Sequence, residues 1–241
     1  MSLTTVKGLQ SEIFVPITPP PVWTPVTKPL NEMRIAFATA AGVHLKSDKR
    51  FNLAGDFTFR AVPGDVNSSE LMVSHGGYDN GDVNQDINCM FPIDRLREIA
   101  AEGFIKEVAP MHYGFMGGGG NQEKFANETG PAIAKLLKEE KVDAVVLTAG
   151  WGTCHRSAVL VQRAIEESGI PTIVIAALPP VVRQSGTPRA VAPLVPMGAN
   201  AGKPNDKEMQ TNILKDTLRQ LMAIESAGKI VPLPYEYAAK V

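Results

Sequence analysis

Short apolar runs alternate along the chain with segments of helical periodicity, and this alternation restricts the fold more than any other feature. The runs have the length of strands and lie at residues 33–40, 71–75, 104–110, 143–149 and 172–178. Continuous apolar runs of this length are typical of parallel strands that are buried on both faces. Strands that alternate with helices predict an α/β fold with three layers, a mainly parallel sheet flanked by helices.

Four segments carry the helical pattern. Apolar residues recur there at intervals of three and four, which is the spacing of one face of a helix. The segments run from Ile93 to about Glu102, from about Glu123 to Glu140, from about Thr153 to Gly169, and from about Asp206 to Ala227. Glycines 103, 169 and 228 end three of them, as expected of helix C-termini.

The N-terminal part differs in composition, because prolines are dense between residues 14 and 30. Proline suits neither a helix interior nor a central strand, so an extended arm laid over a surface is predicted. We expect residues 1–30 to form this arm and residues 31–241 to form a single α/β catalytic domain. Trp23 is expected to anchor the arm, either to its own domain or to a partner.

Charge and hydropathy exclude some classes of partner. The 24 Lys and Arg residues are balanced by 25 Asp and Glu, which gives a formal net charge of -1. A chain without a basic field is a poor candidate for binding nucleic acid or an anionic membrane surface. No apolar run approaches the roughly 18 residues that a membrane span requires, and a cytoplasmic protein is expected.

All four histidines lie at or close after predicted strands: His44, His75, His112 and His155. Ligands of open parallel sheets gather beyond the carboxyl ends of the strands, so this pattern favours a site at that edge. No metal is expected, because no two of these histidines have helical i, i+4 spacing and neither cysteine belongs to a CxxC or CxxH pair. Hydrogen bonding or general acid–base catalysis is the preferred interpretation of the histidines.

Two arginines and a glycine run are weaker candidates. Arg183 and Arg189 are expected in a long loop rich in Pro and Gly after the fifth predicted strand, where a guanidinium group could clamp a substrate carboxylate. Surface solubility explains either arginine equally well. The glycines at 117–120 are not followed by the Gly-Lys-Ser/Thr sequence that ends a phosphate-binding loop. A mobile loop or hinge is therefore expected there.

The segment from Val145 to Thr172 is the most informative. An apolar strand ends near Gly150, and a helix is predicted to begin at about Thr153 and Cys154. A thiol at a helix N-terminus is stabilised as the thiolate, and His155 next to Cys154 would add positive charge. The alternative is that Cys154 is a buried structural cysteine. Trp151 favours a functional turn, because no packing pattern requires a large aromatic between two glycines.

The turn at Trp151-Gly152-Thr153-Cys154-His155 resembles the Sec-x-x-Cys-His turn in the selenoprotein subunits of D-proline reductases. More distantly it resembles the selenoprotein B subunits of glycine, sarcosine and betaine reductases. The resemblance extends along nearly the whole chain and includes the stretches WTPVTKPL, FNLAGDFTFR, SHGGYDNGDVNQDINCMFPIDRL, HYGFMGGG and LPPVVRQSGTPRAVAPLVPMGANAGKPND.

The resemblance places selenocysteine, the family's nucleophile, at position 151, where this chain has tryptophan. The selenocysteine codon UGA differs by one base from the tryptophan codon UGG. A misread or recombinant selenoprotein and a natural variant without selenium are both compatible with Trp151. Because an indole has no nucleophilic chalcogen, we expect this chain to lack the family's activity.

The reaction implied by the resemblance is reductive cleavage of the Cα–N bond of D-proline to give 5-aminovalerate. A selenolate at position 151 would attack the α-carbon, and Cys154 would resolve the adduct. The implied partners are a subunit that carries a pyruvoyl group, an electron-donor protein or dithiol, and other subunits of an oligomer. His155, or else His44, His75 or His112, would supply a proton. The alternatives are a selenoprotein component of glycine, sarcosine or betaine reductase and a scaffold without catalytic function.

Overall fold

The computed structural model describes residues 22–119 and 122–237. Its strands are β1 (Arg34–Ala40), β2 (Val43–Leu45), β3 (Phe59–Pro63), β4 (Leu71–Val73), β5 (Glu107–Val108), β6 (Met111–Phe115), β7 (Ala144–Ala149), β8 (Thr172–Ile175), β9 (Arg189–Leu194) and β10 (Lys229–Glu236). Its α-helices are α1 (Gly81–Gln85), α2 (Ile93–Ala101), α3 (Gly130–Glu139), α4 (Gly152–Glu167), α5 (Pro179–Gln184) and α6 (Lys207–Ala223).

The main sheet has the strand order β10-β9-β8-β7-β1-β6-β3, and β5 pairs with the start of β1. Neighbouring strands are parallel, except that β3 runs antiparallel to β6 at one edge. A small second sheet pairs β2 with β4. The mainly parallel α/β fold predicted from the alternation of strands and helices is therefore confirmed.

Helices cover both faces of the main sheet, because its central strand is apolar on both sides. Ile35 and Phe37 of β1 belong to one buried cluster, together with apolar side chains of α2 and α6. Ala36 and Ala38 point the other way, into a second cluster with side chains of α3 and α4. Successive strand residues face opposite sides, so a continuously apolar strand fills both layers of the core.

Two of the five strand predictions need correction. Residues 71–75 do not form a parallel strand of the main sheet, because Leu71–Val73 pairs antiparallel with Val43–Leu45. Within residues 104–110 only Glu107–Val108 is a strand. The long strand of that region is Met111–Phe115, which the sequence pattern missed because His112 and Gly114 interrupt its apolar run. Strands β2, β3, β9 and β10 were also not predicted.

The helix predictions agree more closely with the structure. The bounds of α2 and α4 lie within two residues of the expected ones, and those of α6 lie within four. The segment 123–140 is divided, because a π-helical turn at Phe125–Thr129 precedes α3. None of the helices in the described residues is long and apolar enough to cross a membrane.

The described part of the predicted arm, residues 22–30, contains no helix or strand before Leu30, where a short 3-10 helix begins. Residues 1–21 of the arm lie outside the described residues. The guanidinium carbon of Arg189 lies 3.7 Å from the centre of the Trp23 ring. The Thr24 backbone N–H donates to Glu166 at 2.7 Å, and Arg189 donates to the Thr24 carbonyl. Trp23 therefore anchors this part of the arm to the chain's own sheet and helix α4.

Candidate active site at the carboxyl ends of β1, β6 and β7

The candidate site lies where the order of strands changes direction. β1 is flanked by β6 on one side and β7 on the other, so the chain crosses over β1 between these two strands. In open α/β sheets the crevice outside the carboxyl ends at such a crossing is the usual place for a ligand. Gly117 follows β6 there, and Gly150 and Trp151 follow β7.

The turn after β7 leads directly into α4. Trp151 is the N-cap residue, with extended φ and ψ of −128° and −175°, and Gly152 is the first helical residue. Cys154 is then the third residue of the helix. In a capping box the side chains at the N-cap and at the third helical position each reach the backbone N–H of the other residue, so residues 151 and 154 are neighbours across the first turn. The predicted order of strand, turn and helix is confirmed here.

A loop that follows β4 covers this turn. A Cβ atom added to Gly77 would lie 2.7 Å from Cε3 of the Trp151 indole, so the glycine backbone touches the ring. The ring of Tyr78 is similarly close to Gly150 and Gly198. The Tyr78 hydroxyl donates to the Ala41 carbonyl at 3.0 Å, which ties the loop to the carboxyl end of β1.

Cys154 is fully buried beneath this loop. Its Sγ atom lies 2.8 Å from Nε2 of His75, and its S–H group donates to the Met116 carbonyl at 3.5 Å. Burial raises the pKa of the Cys154 thiol to about 12, although the Trp151 N–H and the Thr153 hydroxyl act in the opposite direction. The expectation of a thiolate is wrong for this structure, because desolvation outweighs the helix N-terminus.

His75 is held as a neutral imidazole. The backbone N–H of Gly77 donates to Nδ1 of His75 at 2.9 Å, so Nδ1 carries no proton. The remaining ring proton is therefore on Nε2 and points at the Cys154 sulfur. Burial lowers the pKa of His75 to about 4, although the Met116 carbonyl acts in the opposite direction.

His155 faces away from the sulfur and fixes the turn. Its Nδ1 atom lies 2.7 Å from the Trp151 carbonyl, and its Nε2 atom accepts from the Leu178 N–H at 3.3 Å. These two contacts assign the proton to Nδ1. His155 is fully buried, and burial lowers its pKa to about 4. The expected positive charge next to Cys154 is therefore absent at neutral pH.

The glycines after β6 pack closely on the site. Gly117 has φ of +72°, and a Cβ atom there would lie 3.1 Å from both Cα and Cβ of Cys154. The Ser157 hydroxyl donates to the Gly117 carbonyl at 2.7 Å, which holds this loop against α4. Close packing therefore explains Gly117 better than the predicted hinge. Gly120 lies outside the described residues.

The family model for the glycine/sarcosine/betaine reductase selenoprotein B matches residues 10–150, which is more than half of the chain. The chain belongs to this family. The matched range ends directly before Trp151, so it does not itself test the roles assigned to residues 151–155.

Curated relatives of this selenoprotein B family member are reductase subunits. D-proline reductase subunit gamma of Acetoanaerobium sticklandii is 76% identical over 239 residues, which cover 99% of each chain. Glycine reductase complex component B subunit gamma of Carboxydothermus hydrogenoformans is 32% identical over 92% of this chain and 53% of that protein. Sarcosine reductase complex component B subunit beta of Peptoclostridium acidaminophilum is 29% identical over 90% and 52%. No solved structure matches the chain.

The chain thus spans about half the length of these glycine and sarcosine reductase relatives. It spans nearly the whole length of the D-proline reductase subunit. The names of the glycine and sarcosine reductase relatives describe subunits of component B of a reductase complex.

The remaining two histidines of this family member do not contact Cys154. His44 hydrogen-bonds with the Ser74 hydroxyl at 2.8 Å and with the Leu45 carbonyl. His112 is the second residue of β6, where its Nδ1 atom accepts from the Phe37 N–H at 2.8 Å. His112 is therefore not at the carboxyl edge as expected. It lies within the core between aromatic rings.

The two arginine candidates do not lie in a loop, as the sequence suggested. Arg183 is an exposed residue of α5, whose N-cap residue Leu178 donates its N–H to His155. Arg189 begins β9 and is fully buried, with its guanidinium 2.8 Å from the Glu166 carboxylate. Because β9 is parallel to β8, Arg189 lies at the amino edge of the sheet, away from Cys154. Its partners Glu166, Thr24 and Trp23 leave it no role in holding a substrate.

Sequence reasoning missed three groups that shape the site: Gly77, Tyr78 and the Met116 carbonyl. The signal for the first two was the pair of glycines between His75 and Tyr78, which permits the close approach to Trp151. No sequence signal identifies a single backbone carbonyl. No group of three potential metal ligands occurs within the described residues.

Proposed function

We propose that this chain is the subunit of a D-proline reductase in which residues 151 and 154 form the redox pair. The observation that carries the proposal is the 76% identity to D-proline reductase subunit gamma over 99% of both chains. The reaction is the two-electron cleavage of the Cα–N bond of D-proline, which takes up two protons and yields 5-aminovalerate. The chain functions with a partner subunit in an oligomer in the cytoplasm, and residues 31–241 form its single catalytic domain.

Position 151 is proposed to hold selenocysteine in the active protein. Selenocysteine would supply a nucleophile and electron carrier that indole lacks, and a pyruvoyl group on the partner subunit would supply the electrophile for the ring nitrogen of D-proline. The surroundings of residue 151 fit a smaller, anionic side chain. The N-cap position faces the free N–H groups of the first turn of α4, and these groups favour an anion.

The space that the Trp151 indole fills also supports selenocysteine at position 151. The ring is half-buried and lies against Gly77, with His75 beside it. A selenocysteine side chain is far smaller than an indole, so this space would be open to a small ring such as that of proline. The protein with Trp151 is proposed to be inactive, because it has neither the chalcogen nor this space.

Cys154 is proposed as the resolving thiol. Its place at the third helical position gives it the two-residue spacing from residue 151 that CxxC redox pairs have. Its burial keeps the thiol protonated and shielded until a bond to residue 151 forms. An electron-donor protein or a dithiol then reduces that bond.

Other side chains are proposed to position this pair and the substrate. His155 holds the carbonyl of residue 151 and thereby fixes the N-cap geometry. Arg183 is the remaining arginine candidate for the carboxylate of D-proline, since it is exposed on α5, whose N-cap residue Leu178 contacts His155. A direct contact of Arg183 with substrate is a prediction.

The selenoprotein component of a glycine or sarcosine reductase is the second candidate. It has less support, because identity to those relatives is 29–32% and the chain spans only about half of their length. A scaffold that holds a pyruvoyl subunit is a third candidate for the form with Trp151. A genomic UGA codon followed by a selenocysteine insertion hairpin supports the enzyme, whereas a UGG codon supports the scaffold.

The test is to produce the Trp151→Sec and Trp151→Cys chains with the pyruvoyl-bearing subunit and to measure products with a dithiol as reductant. We expect the Sec chain to form 5-aminovalerate from D-proline, the Cys chain to be slower, and the unaltered Trp151 chain to form none. Glycine, sarcosine and betaine serve as competing substrates. Turnover of D-proline by the Trp151 chain, or of glycine alone by the Sec chain, contradicts the proposal.

A further inference from the structure

We infer that His75 stabilises the thiolate of Cys154 by donating its Nε2–H to the sulfur, with the Gly77 amide fixing the tautomer that makes this donation possible. The inference rests on the proposed redox pair at residues 151 and 154. It gives His75 a role toward the thiol and not toward the substrate.

The contacts around the sulfur of Cys154 differ in their effect on the thiol and on the thiolate. The thiol proton points to the Met116 carbonyl at 3.5 Å, and the sulfur accepts the Nε2–H of His75 at 2.8 Å. When the thiol loses its proton, the hydrogen bond to the Met116 carbonyl is lost. The Nε2–H of His75 then donates to a negatively charged sulfur. Hydrogen bonds to charged groups are worth more than neutral ones. His75 therefore favours the thiolate over the thiol.

The tautomer of His75 is fixed by its backbone contact. The Gly77 N–H donates to Nδ1 of His75 at 2.9 Å. A proton on Nδ1 would therefore point at another hydrogen-bond donor. His75 thus acts as a neutral donor and does not form an ion pair with Cys154. The groups that face His75 are the ring of Tyr78 at 4.7 Å, the Met116 carbonyl and Cys154 itself. Its described surroundings include no carboxylate that would favour the imidazolium.

The stability of the Cys154 thiolate matters when a bond between residues 151 and 154 is reduced. A Trp151→Cys chain, which can form a disulfide with Cys154, makes this reduction measurable. A dithiol thiolate attacks the sulfur of residue 151, because Cys154 is fully buried. The S–S bond breaks, and its electron pair leaves on Sγ of Cys154 as the thiolate. The second thiol of the reductant closes its own disulfide and releases residue 151, and Cys154 takes a proton from solvent. The dithiol is oxidised by two electrons, and the protein disulfide is reduced.

The experiment compares three variants in the Trp151→Cys background. His75→Leu removes the donor, His75→Gln keeps an N–H group at a similar reach, and His44→Gln is a matched control in a neighbouring strand that does not contact Cys154. The measurements are the rate of disulfide reduction by dithiothreitol and the ultraviolet absorbance of the thiolate, both from neutral to alkaline pH.

We expect His75→Leu to slow reduction at neutral pH by roughly ten- to a hundredfold, as for the loss of a hydrogen bond to a charged group. The thiolate of Cys154 should then appear at higher pH. His75→Gln should restore most of the rate, and His44→Gln should leave both measurements unchanged. An unchanged rate and titration in His75→Leu overturn the inference, and so does an equal effect of His44→Gln.

A second measurement covers the case in which residues 151 and 154 do not form a disulfide. In the unaltered Trp151 chain, alkylation of Cys154 should shift to higher pH with His75→Leu, and an absent shift overturns the inference. Both measurements use neither D-proline nor the partner subunit. A failed activity test with a positive thiol result therefore rejects the proposed function alone, and the reverse rejects the role of His75 alone.

Discussion

The Nε2 atom of His75 lies 2.8 Å from the Sγ atom of Cys154, although the two residues are 79 positions apart in the chain. The contact joins the loop after the small two-stranded sheet to the first turn of α4. It buries the thiol and supplies the sulfur with a neutral donor. The chemistry of Cys154 therefore depends on a loop that belongs to another part of the sequence.

Cys154 should resist alkylation in the folded chain. Its thiol is fully buried, and its pKa is raised to about 12, so the thiolate fraction stays small at neutral pH and grows only as the pH approaches that value. We expect alkylation by iodoacetamide at neutral pH to be at least about tenfold slower than in denaturant, as followed by peptide mass spectrometry. Fast modification of Cys154 in the folded state would contradict the described burial.

Gly77→Ala should destabilise the chain and displace the indole. The added Cβ would lie 2.7 Å from Trp151 and 2.9 Å from the His75 ring. Overpacking of this kind costs about 1–3 kcal/mol of the free energy of unfolding. Gly76→Ala is the matched control, because its Cβ would meet only Leu53, at 3.9 Å. Chemical denaturation and tryptophan fluorescence measure both effects, and equal stability of the two variants would refute the prediction.

Arg189→Met should be strongly destabilising. The change leaves the Glu166 carboxylate buried without its cation and removes the ring contact of Trp23. Removal of one partner of a buried ion pair costs about 3–5 kcal/mol. Arg183→Met on the exposed face of α5 is the control, with an expected change within about 0.5 kcal/mol. Urea denaturation gives both values, and limited proteolysis should detect release of the arm in Arg189→Met only.

His112→Asn should make the free energy of unfolding less dependent on pH in the acidic range. Burial lowers the pKa of His112 to about 3, and the charge of Arg97 acts in the same direction. Because the folded pKa lies below the unfolded value of about 6.5, the unfolded chain takes up a proton first as the pH falls. His112 therefore removes up to about 1.4 kcal/mol of stability per pH unit between those two values.

Asparagine can still accept the Phe37 N–H that Nδ1 of His112 accepts, and it does not titrate in this range. We expect the loss of stability between neutral and mildly acidic pH to be smaller in His112→Asn than in the parent chain. Urea denaturation at a series of pH values measures it. Parallel curves for the two proteins would show that His112 is not the group responsible.

The sequence predicted the layers of the fold because the core strands and helices have strong periodicity. Residues 33–40 and 143–149 became adjacent central strands, and the helix that follows Trp151 begins within a residue of its expected start. The apolar pattern failed where polar or glycine residues enter the sheet, as at His112 and Gly114 of β6. Such a segment forms a strand because it is buried between other elements of the fold. This burial cannot be read from a single sequence.

The turn that forms the candidate site could be predicted from the sequence, but its electrostatics could not. Strand, turn and helix signals placed residues 151 and 154 together, and Trp151 between two glycines marked the turn as unusual. The helix N-terminus alone predicts a thiolate at Cys154. Burial of the sulfur opposes the thiolate, but the sequence does not show how deeply the sulfur is buried. The loop with Gly77 and Tyr78 supplies that burial and so reverses the direction of the pKa shift.

The sequence by itself determined the fold class, the turn at Trp151 and the resemblance to the selenoprotein B family, because each depends on local spacing of side chains. Only the tertiary structure selected His75 among the four histidines, moved Arg189 from the site to a buried ion pair, and made Cys154 and His155 neutral. Hydrogen-bond partners and desolvation arise between segments that are distant in the chain. The charge and role of a side chain are therefore fixed by its neighbours in space and not by its neighbours in sequence.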